Sequence, residues 1–410
     1  MWSLLEFKLR ILLKEAASTV LISACMTRDH PGKKARLVYV PESPTCHEVK
    51  MSPVFVTRTF MPPWPEFEKR LKSLFQSACI TNQGPLVSEL KETLQEFLKV
   101  QKLQILANGT LALQAAIRAC DVTGAEIITT PFSYVATVSS ILWEHCTPVF
   151  VDIDPDTLMM DPERVEAVIT PQTKALLPVH VFGYPCDVDG LQSIADRYDL
   201  KIIYDGAHAF GSQYRGRSLL AYGDVSTCSF HATKLFHTGE GGCCISKTDF
   251  TDQKIDMIKR FGHTGDDHIC LGVNMKMSEL HAAMGLSVMP YLPDIFSTRK
   301  QLSALYDELL NGAFERPRQH YDDFQYNYAY YPVLFPNEKL LLKALSALSE
   351  KEIYPRRYFF PSLNKLKYLN RADSCPIAED IASRIVCLPL FTDLAEKDVR
   401  HICKVVREFV

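Results

Sequence analysis

This sequence of 410 residues contains no run approaching the roughly 18 apolar residues that a membrane-spanning helix requires. Its most apolar early stretch, Ala16 to Met26, is short and broken by Ser18, Thr19 and Ser23. A membrane partner is therefore not expected. Long basic runs are also missing, and the formal net charge is only −3, so nucleic-acid binding has no electrostatic footprint. There is no Cys-x-x-Cys pair among the thirteen cysteines. The adjacent Cys243 and Cys244 sit in an apolar stretch where neighbouring side chains face opposite ways, which makes a poor metal site. The scattered cysteines read as reduced, mostly buried thiols of a cytoplasmic protein. Internal repeats and low-complexity segments are absent as well. What remains is an ordinary globular composition, 47% hydrophobic and 23% charged, long enough for about two or three domains.

The first fifty residues differ from the rest. Trp2, Leu5, Leu9 and Leu12 recur at helical spacing, and a polar stretch with Pro31, Pro41 and Pro44 follows. Residues 1–50 are expected to be a poorly ordered extension, with Met51 as an alternative start. A targeting segment is the other reading of Lys8, Arg10 and Lys14, but Glu6 and Glu15 count against a transit peptide.

From about residue 100, short apolar runs alternate with helical patterns. Strand-like runs fall at Leu103 to Ala107, Glu126 to Thr129, Pro148 to Asp152, Lys174 to His180, Lys201 to Asp205, Val225 to Phe230 and Gly242 to Ser246. Leu111 to Cys120 and Asp187 to Tyr198 read as helices between them. Near-continuous apolar strands alternating with helices predict an α/β fold with a large, mostly parallel sheet covered on both faces. A long helical stretch from Met277 to Leu309 carries Pro290 and Pro293 as breaks. Beyond it, Tyr326 to Phe335, Arg356 to Phe360 and Ile385 to Leu388 are strand-like, and Lys339 to Glu350 is helical. The expected division is a large domain over 51–290 and a smaller α+β domain over 291–410.

Ligands of parallel sheets sit at the carboxyl ends of the strands, and the chemistry-bearing residues fall there. Asp205 closes one strand. Ser229 closes another and is followed by His231, Thr233 and Lys234, then by Gly239-Glu240-Gly241-Gly242. An acid ending a buried strand, with a lysine about thirty residues later beside a serine, has the layout of a pyridoxal 5'-phosphate (PLP) site. The lysine amine condenses with the cofactor aldehyde, and the acid keeps the pyridine nitrogen protonated so the ring can draw electrons. Ala107-Asn108-Gly109-Thr110 closes a strand and opens a helix, and free N–H groups at such a terminus hold an anion. Gly109 permits close backbone approach, and Thr110 and Ser229 add hydroxyls for the phosphate. In Pro131-Phe132-Ser133-Tyr134-Val135-Ala136-Thr137, Tyr134 is preferred to Phe132 as the flat ring that stacks on the pyridine. His208, three residues past Asp205, is placed near the cofactor ring oxygen.

Taken in order, Ala107 to Thr110, Pro131 to Thr137, Val149 to Thr157, Pro178 to Gly183, Asp205 to His208 and Ser229 to Lys234 resemble the DegT/StrS family. These are PLP-dependent nucleotide-sugar aminotransferases of the aspartate-aminotransferase fold, PLP fold type I. The resemblance runs from about Phe55 to the C-terminus. It implies Lys234 and Asp205 as catalytic residues, and Gly109, Thr110, Asp205, His208, Ser229, Lys234 and Asn274 as cofactor-binding, beside Tyr134 from the strand-end reading. Asn274 matches an asparagine that reaches the phosphate of the neighbouring subunit, so a homodimer with shared active sites is implied. Thr81-Asn82-Gln83-Gly84-Pro85 resembles the family's Thr-Asn-x-Gly-Pro loop. Phe55 to Pro63, Lys276 to Gly285 and Arg356 to Pro361 look like enzymes that aminate C4 of dTDP-4-keto-6-deoxyglucose with L-glutamate, releasing 2-oxoglutarate. Phe360 stands where those enzymes have a tyrosine, which removes one possible sugar contact. Lysine rather than histidine at 234 argues against the family's dehydratase branch. A 3-keto sugar, a UDP-linked 4-keto sugar and a non-catalytic PLP-binding sensor are the competing readings.

Overall fold

The computed structural model describes residues 53–317, 321–370 and 373–410. The expected extension over 1–50 lies outside the described residues. Seven strands form the central sheet: β1 (Leu103–Leu106), β2 (Glu126–Thr129), β3 (Thr147–Phe150), β4 (Thr173–Leu177), β5 (Lys201–Asp205), β6 (Val225–Ser229) and β7 (Gly242–Ser246). Their spatial order is β1-β7-β6-β5-β4-β2-β3. β7 runs antiparallel to both of its neighbours, β1 and β6, and the other strand pairs are parallel.

Burial on both faces explains the strand composition. Ile128, Leu176, Ile202 and Cys243 enter one core, while their chain neighbours Ile127, Leu177, Ile203 and Cys244 enter the other. A strand alternates sides at every residue, so both parities must be apolar when both faces are covered.

Helices supply the cover. In chain order they include α1 (Trp64–Ser77), α2 (Pro85–Leu98), α3 (Gly109–Ala119), α4 (Ala136–Trp143), α5 (Val188–Tyr198), α6 (Asp249–Ile258), α7 (Glu279–Val288) and α8 (Leu292–Leu310). The helical stretch from Met277 breaks at its prolines as expected, into two helices joined by a tight 3₁₀ turn at Met289–Tyr291, because Pro290 and Pro293 lack the N–H that a continuous helix needs. No helix among the described residues is long and apolar enough to cross a membrane.

A further core begins along α8. Ile295 still joins the sheet core, whereas Leu302, Tyr306 and Leu310 join a cluster with Tyr331, Val333, Leu341, Val386 and Val399. In this C-terminal part β8 (Tyr331–Leu334) pairs antiparallel with β9 (Ile385–Leu388). Two expected strands are corrected here. Only Tyr331–Leu334 of the run Tyr326 to Phe335 is strand, since Asn327 and Tyr326 bond toward the sheet domain instead. Arg356 to Phe360 is no strand: Pro355 and Pro361 bracket it, and Arg356 alone bridges to Cys387. Tyr358 and Phe359 line a cavity instead.

Candidate active site

A cavity of about 400 Å³ opens at the carboxyl ends of β1, β2, β5 and β6. Gly109, Thr110, Tyr134, Asp205, His208, Ser229 and Lys234 all line it. The topology brings them together, because each follows or ends a strand whose direction points at the same rim.

The loop from β6 to β7 presents the lysine. Phe230 N–H donates to Gly241 O, and Ala232 N–H donates to Gly239 O, closing the loop like a short ribbon. Leu235 and Phe236 are buried beneath it. Lys234 Nζ lies 3.3 Å from the Tyr330 hydroxyl. Burial lowers the lysine pKa, against the raising influence of Tyr358 and Asp205. A lowered pKa keeps more of the amine neutral, and only the neutral amine is nucleophilic or basic.

Asp205 ends β5 and is only 5% exposed. Its Oδ2 accepts from the Thr137 hydroxyl at 2.8 Å and its Oδ1 from the Ala207 N–H at 3.1 Å. Burial raises its pKa, while those bonds and the Lys234 charge pull it down. A carboxyl held in this balance is costly to ionise alone, and that cost favours a cationic partner. His208 is buried, and its Nδ1 accepts from the Phe182 N–H at 3.2 Å. Burial holds its pKa well below the usual range. The neutral ring therefore carries its proton on Nε2, which is left as a donor.

The first turn of α3 closes one end of the cavity. Asn108 caps the helix by accepting from the Leu111 N–H at 2.8 Å. Gly109 and Thr110 line the cavity at this positive helix terminus. A Cβ on Gly109 would stand 2.8 Å from the Ser229 Cβ, so only glycine lets the turn meet the serine. Tyr134 is exposed on the cavity wall, whereas Phe132 is wholly buried, edge-on to Phe182 and Phe359. Asn274 is not brought to this cavity. It is exposed, its backbone bridges Arg260, and its Oδ1 accepts from the Lys276 N–H.

Sequence reasoning assigned no role to Thr137, Tyr330, Arg356 or Tyr358. Thr137 lay within a quoted motif, one helical turn after Ser133, so a bond back toward the strand ends was available as a signal. Tyr330 is 96 positions from Lys234, and no local pattern links them.

The donor set fits PLP. A helix terminus with Ser229 suits a phosphate, a buried acid suits a pyridinium, and an amine of lowered pKa suits an aldehyde. Fold and site thus define a PLP-dependent enzyme of fold type I. The DegT/DnrJ/EryC1/StrS aminotransferase family model matches residues 65–407, and the chain belongs to that family. The chain is 39% identical over 366 residues to dTDP-4-amino-4,6-dideoxy-D-glucose transaminase of Shigella dysenteriae, covering 87% of this chain and 99% of that protein. Among solved structures it resembles DesI, determined in the presence of its TDP-sugar product, with a TM-score of 0.82 and 30% identity over 87% of this chain and 92% of that one. It also resembles the putative sugar aminotransferase Spr1654 of Streptococcus pneumoniae in its PMP form, with a TM-score of 0.80 and 26% identity over 86% of this chain and 97% of that one.

Proposed function

We propose that this aminotransferase converts dTDP-4-keto-6-deoxyglucose to the 4-amino sugar, with L-glutamate as amino donor and 2-oxoglutarate as the released product. The observation that carries the reading is a complete lysine, acid and anion-cradle set in a chain that spans 99% of a 4-amino-sugar transaminase. Bound PLP supplies the electron sink for this chemistry. The protein's residues supply the rest. Gly109, Thr110 and Ser229 would hold the phosphate, and Tyr134 would cover the ring face. Asp205 would keep its charge against the ring nitrogen, and neutral His208 would offer Nε2–H to the ring oxygen. Lys234, once displaced by the amino donor, takes the proton from the donor's α-carbon and later returns one to the sugar carbon as general base and acid.

The same reading gives a homodimer with shared sites. Phe261, Ile269, Leu271, Val273 and Leu280 are all exposed around Asn274. An apolar surface of this kind marks a contact face, and a second chain seated there would account for an asparagine that its own cavity does not use. The eleven described cysteines are all free, in keeping with a reducing, cytoplasmic setting.

The test is the absorbance of the PLP-loaded protein before and after L-glutamate. The visible cofactor band is expected to shift to the near-ultraviolet, and dTDP-4-keto-6-deoxyglucose is expected to restore it. Lys234→Ala should abolish both band and turnover. Restoration only by a 3-keto or a UDP-linked 4-keto sugar would reassign the substrate. A band that glutamate leaves unchanged would remove it as the donor.

A further inference from the structure

Tyr330 comes from the C-terminal part of the chain, yet its hydroxyl meets the lysine amine at 3.3 Å. It is 5% exposed. Its ring is wedged against His208, with centroids 4.6 Å apart, and lies edge-on to Tyr358 at 5.6 Å. The backbone on either side is tied down. Asn327 Nδ2 donates to His208 O at 2.7 Å and to Phe210 O at 2.9 Å, fastening the segment to the loop after Asp205. Buried Arg299 donates from Nε to Tyr328 O at 2.9 Å and from Nη2 to Ala329 O. The Tyr326 hydroxyl donates to Tyr330 O at 2.9 Å. A side chain held by packing on its ring and by bonds on its backbone keeps its hydroxyl at one position.

We infer that the Tyr330 hydroxyl is a positioning group for the reacting amine: it aims the Lys234 lone pair and accepts a hydrogen bond from the ammonium that Lys234 becomes. This deepens the transamination reading and rests on it. In that reaction Lys234 would take one proton from the donor carbon, hold it as an ammonium, and give it up again as the amino group is transferred. Between those events a positive charge stands in a buried cavity, which is unfavourable without an acceptor. Asp205 is the charged counterweight, but both its oxygens already accept bonds from Thr137 and Ala207. The phenol oxygen supplies a neutral acceptor directly on Nζ. Burial raises the phenol pKa, so Tyr330 retains its own proton and exchanges none. The proton therefore passes from carbon to nitrogen to carbon, with the tyrosine orienting it.

Tyr330→Phe tests this, since it keeps the ring and its packing on His208 and removes one oxygen. The first readout needs no turnover. Cofactor-free protein is mixed with PLP at a series of pH values, and the rate at which the visible band returns reports the neutral fraction of Lys234. The other groups facing that amine are Asp205, Tyr358, Cys228, Tyr134 and His208, and the substitution leaves all of them in place. Losing an acceptor disfavours the ammonium, so the pH midpoint should move down, by about half a unit or more. The second readout is the glutamate half-reaction, expected to slow about tenfold or more, with a larger isotope effect for α-deuterated glutamate. An unmoved midpoint, or a half-reaction within twofold of wild type, overturns the inference and leaves Tyr330 as packing. Wild-type protein that regains the band but ignores glutamate removes glutamate as the donor instead, and the midpoint comparison then decides Tyr330 by itself.

Discussion

Asp205 concentrates the logic of the site in one side chain. Strand β5 ends on it, so the backbone delivers the carboxyl to the cavity rim while Ile202, Ile203 and Tyr204 stay in the core. The Thr137 hydroxyl and the Ala207 N–H then fix its orientation. Asp205→Asn keeps the shape and can preserve both bonds, with the amide donating to Thr137, but it removes the charge. The expected outcome is a protein that still binds PLP and shows its band, with turnover reduced on the order of a hundredfold or more. Steady-state assay beside the absorbance spectrum checks it, and an unchanged rate would take Asp205 out of its role. Asp205 and Lys234 were legible in the sequence because each stands at a break between an apolar run and a loop. Thr137 and Tyr330 were not, because hydroxyls at helical or aromatic positions carry no pattern of their own.

Among the elements, α2 depends on a distant residue for its start. Gly84 occupies its N-cap and has no side chain to accept the first N–H groups. Glu279, at the start of α7 and wholly buried, does so instead: its carboxylate accepts from Gly84, Leu86 and Val87 at 2.9, 2.8 and 3.2 Å. The favourable end of the α2 dipole adds to these bonds. Glu279→Ala strands several buried N–H groups, so it should lower stability by about 2 kcal/mol or more. Urea denaturation followed by circular dichroism measures this, with Glu279→Gln expected to lose less. Equal midpoints for all three proteins would show that α2 needs no such cap. The sequence marked the stretch that holds α7 as helical, but α2 was not read from it. It did not pair Glu279 with Gly84, because an acid in a helix's first turn looks the same whether it serves that helix or another.

For the whole molecule, the shared-site reading makes a prediction that no single chain can satisfy. If Asn274 completes the partner's cavity, a heterodimer of one Lys234→Ala chain and one Asn274→Arg chain contains one fully native site and one doubly defective site. Co-expressed chains with different tags should therefore recover turnover that both parent homodimers lack. Recovery confirms sharing, a heterodimer as inactive as its parents would mean that Asn274 acts in its own chain, and an active Asn274→Arg homodimer would mean that it does not act at all.

The sequence by itself determined the mostly parallel sheet, the strand-to-helix turn at Asn108–Thr110 and the lysine–acid order, since each is written within a few neighbouring residues. Strand-end chemistry is local: a run of apolar residues stops, and a polar group stands at the stop. Only the tertiary structure decided what surrounds the amine. Tyr330 and Tyr358 reach the site from the C-terminal part of the chain, and Arg299 holds the backbone just before Tyr330; their distance in sequence is closed by the packing of α8 and the cores it joins. That packing is a sum over many contacts, which no local stretch of sequence can express.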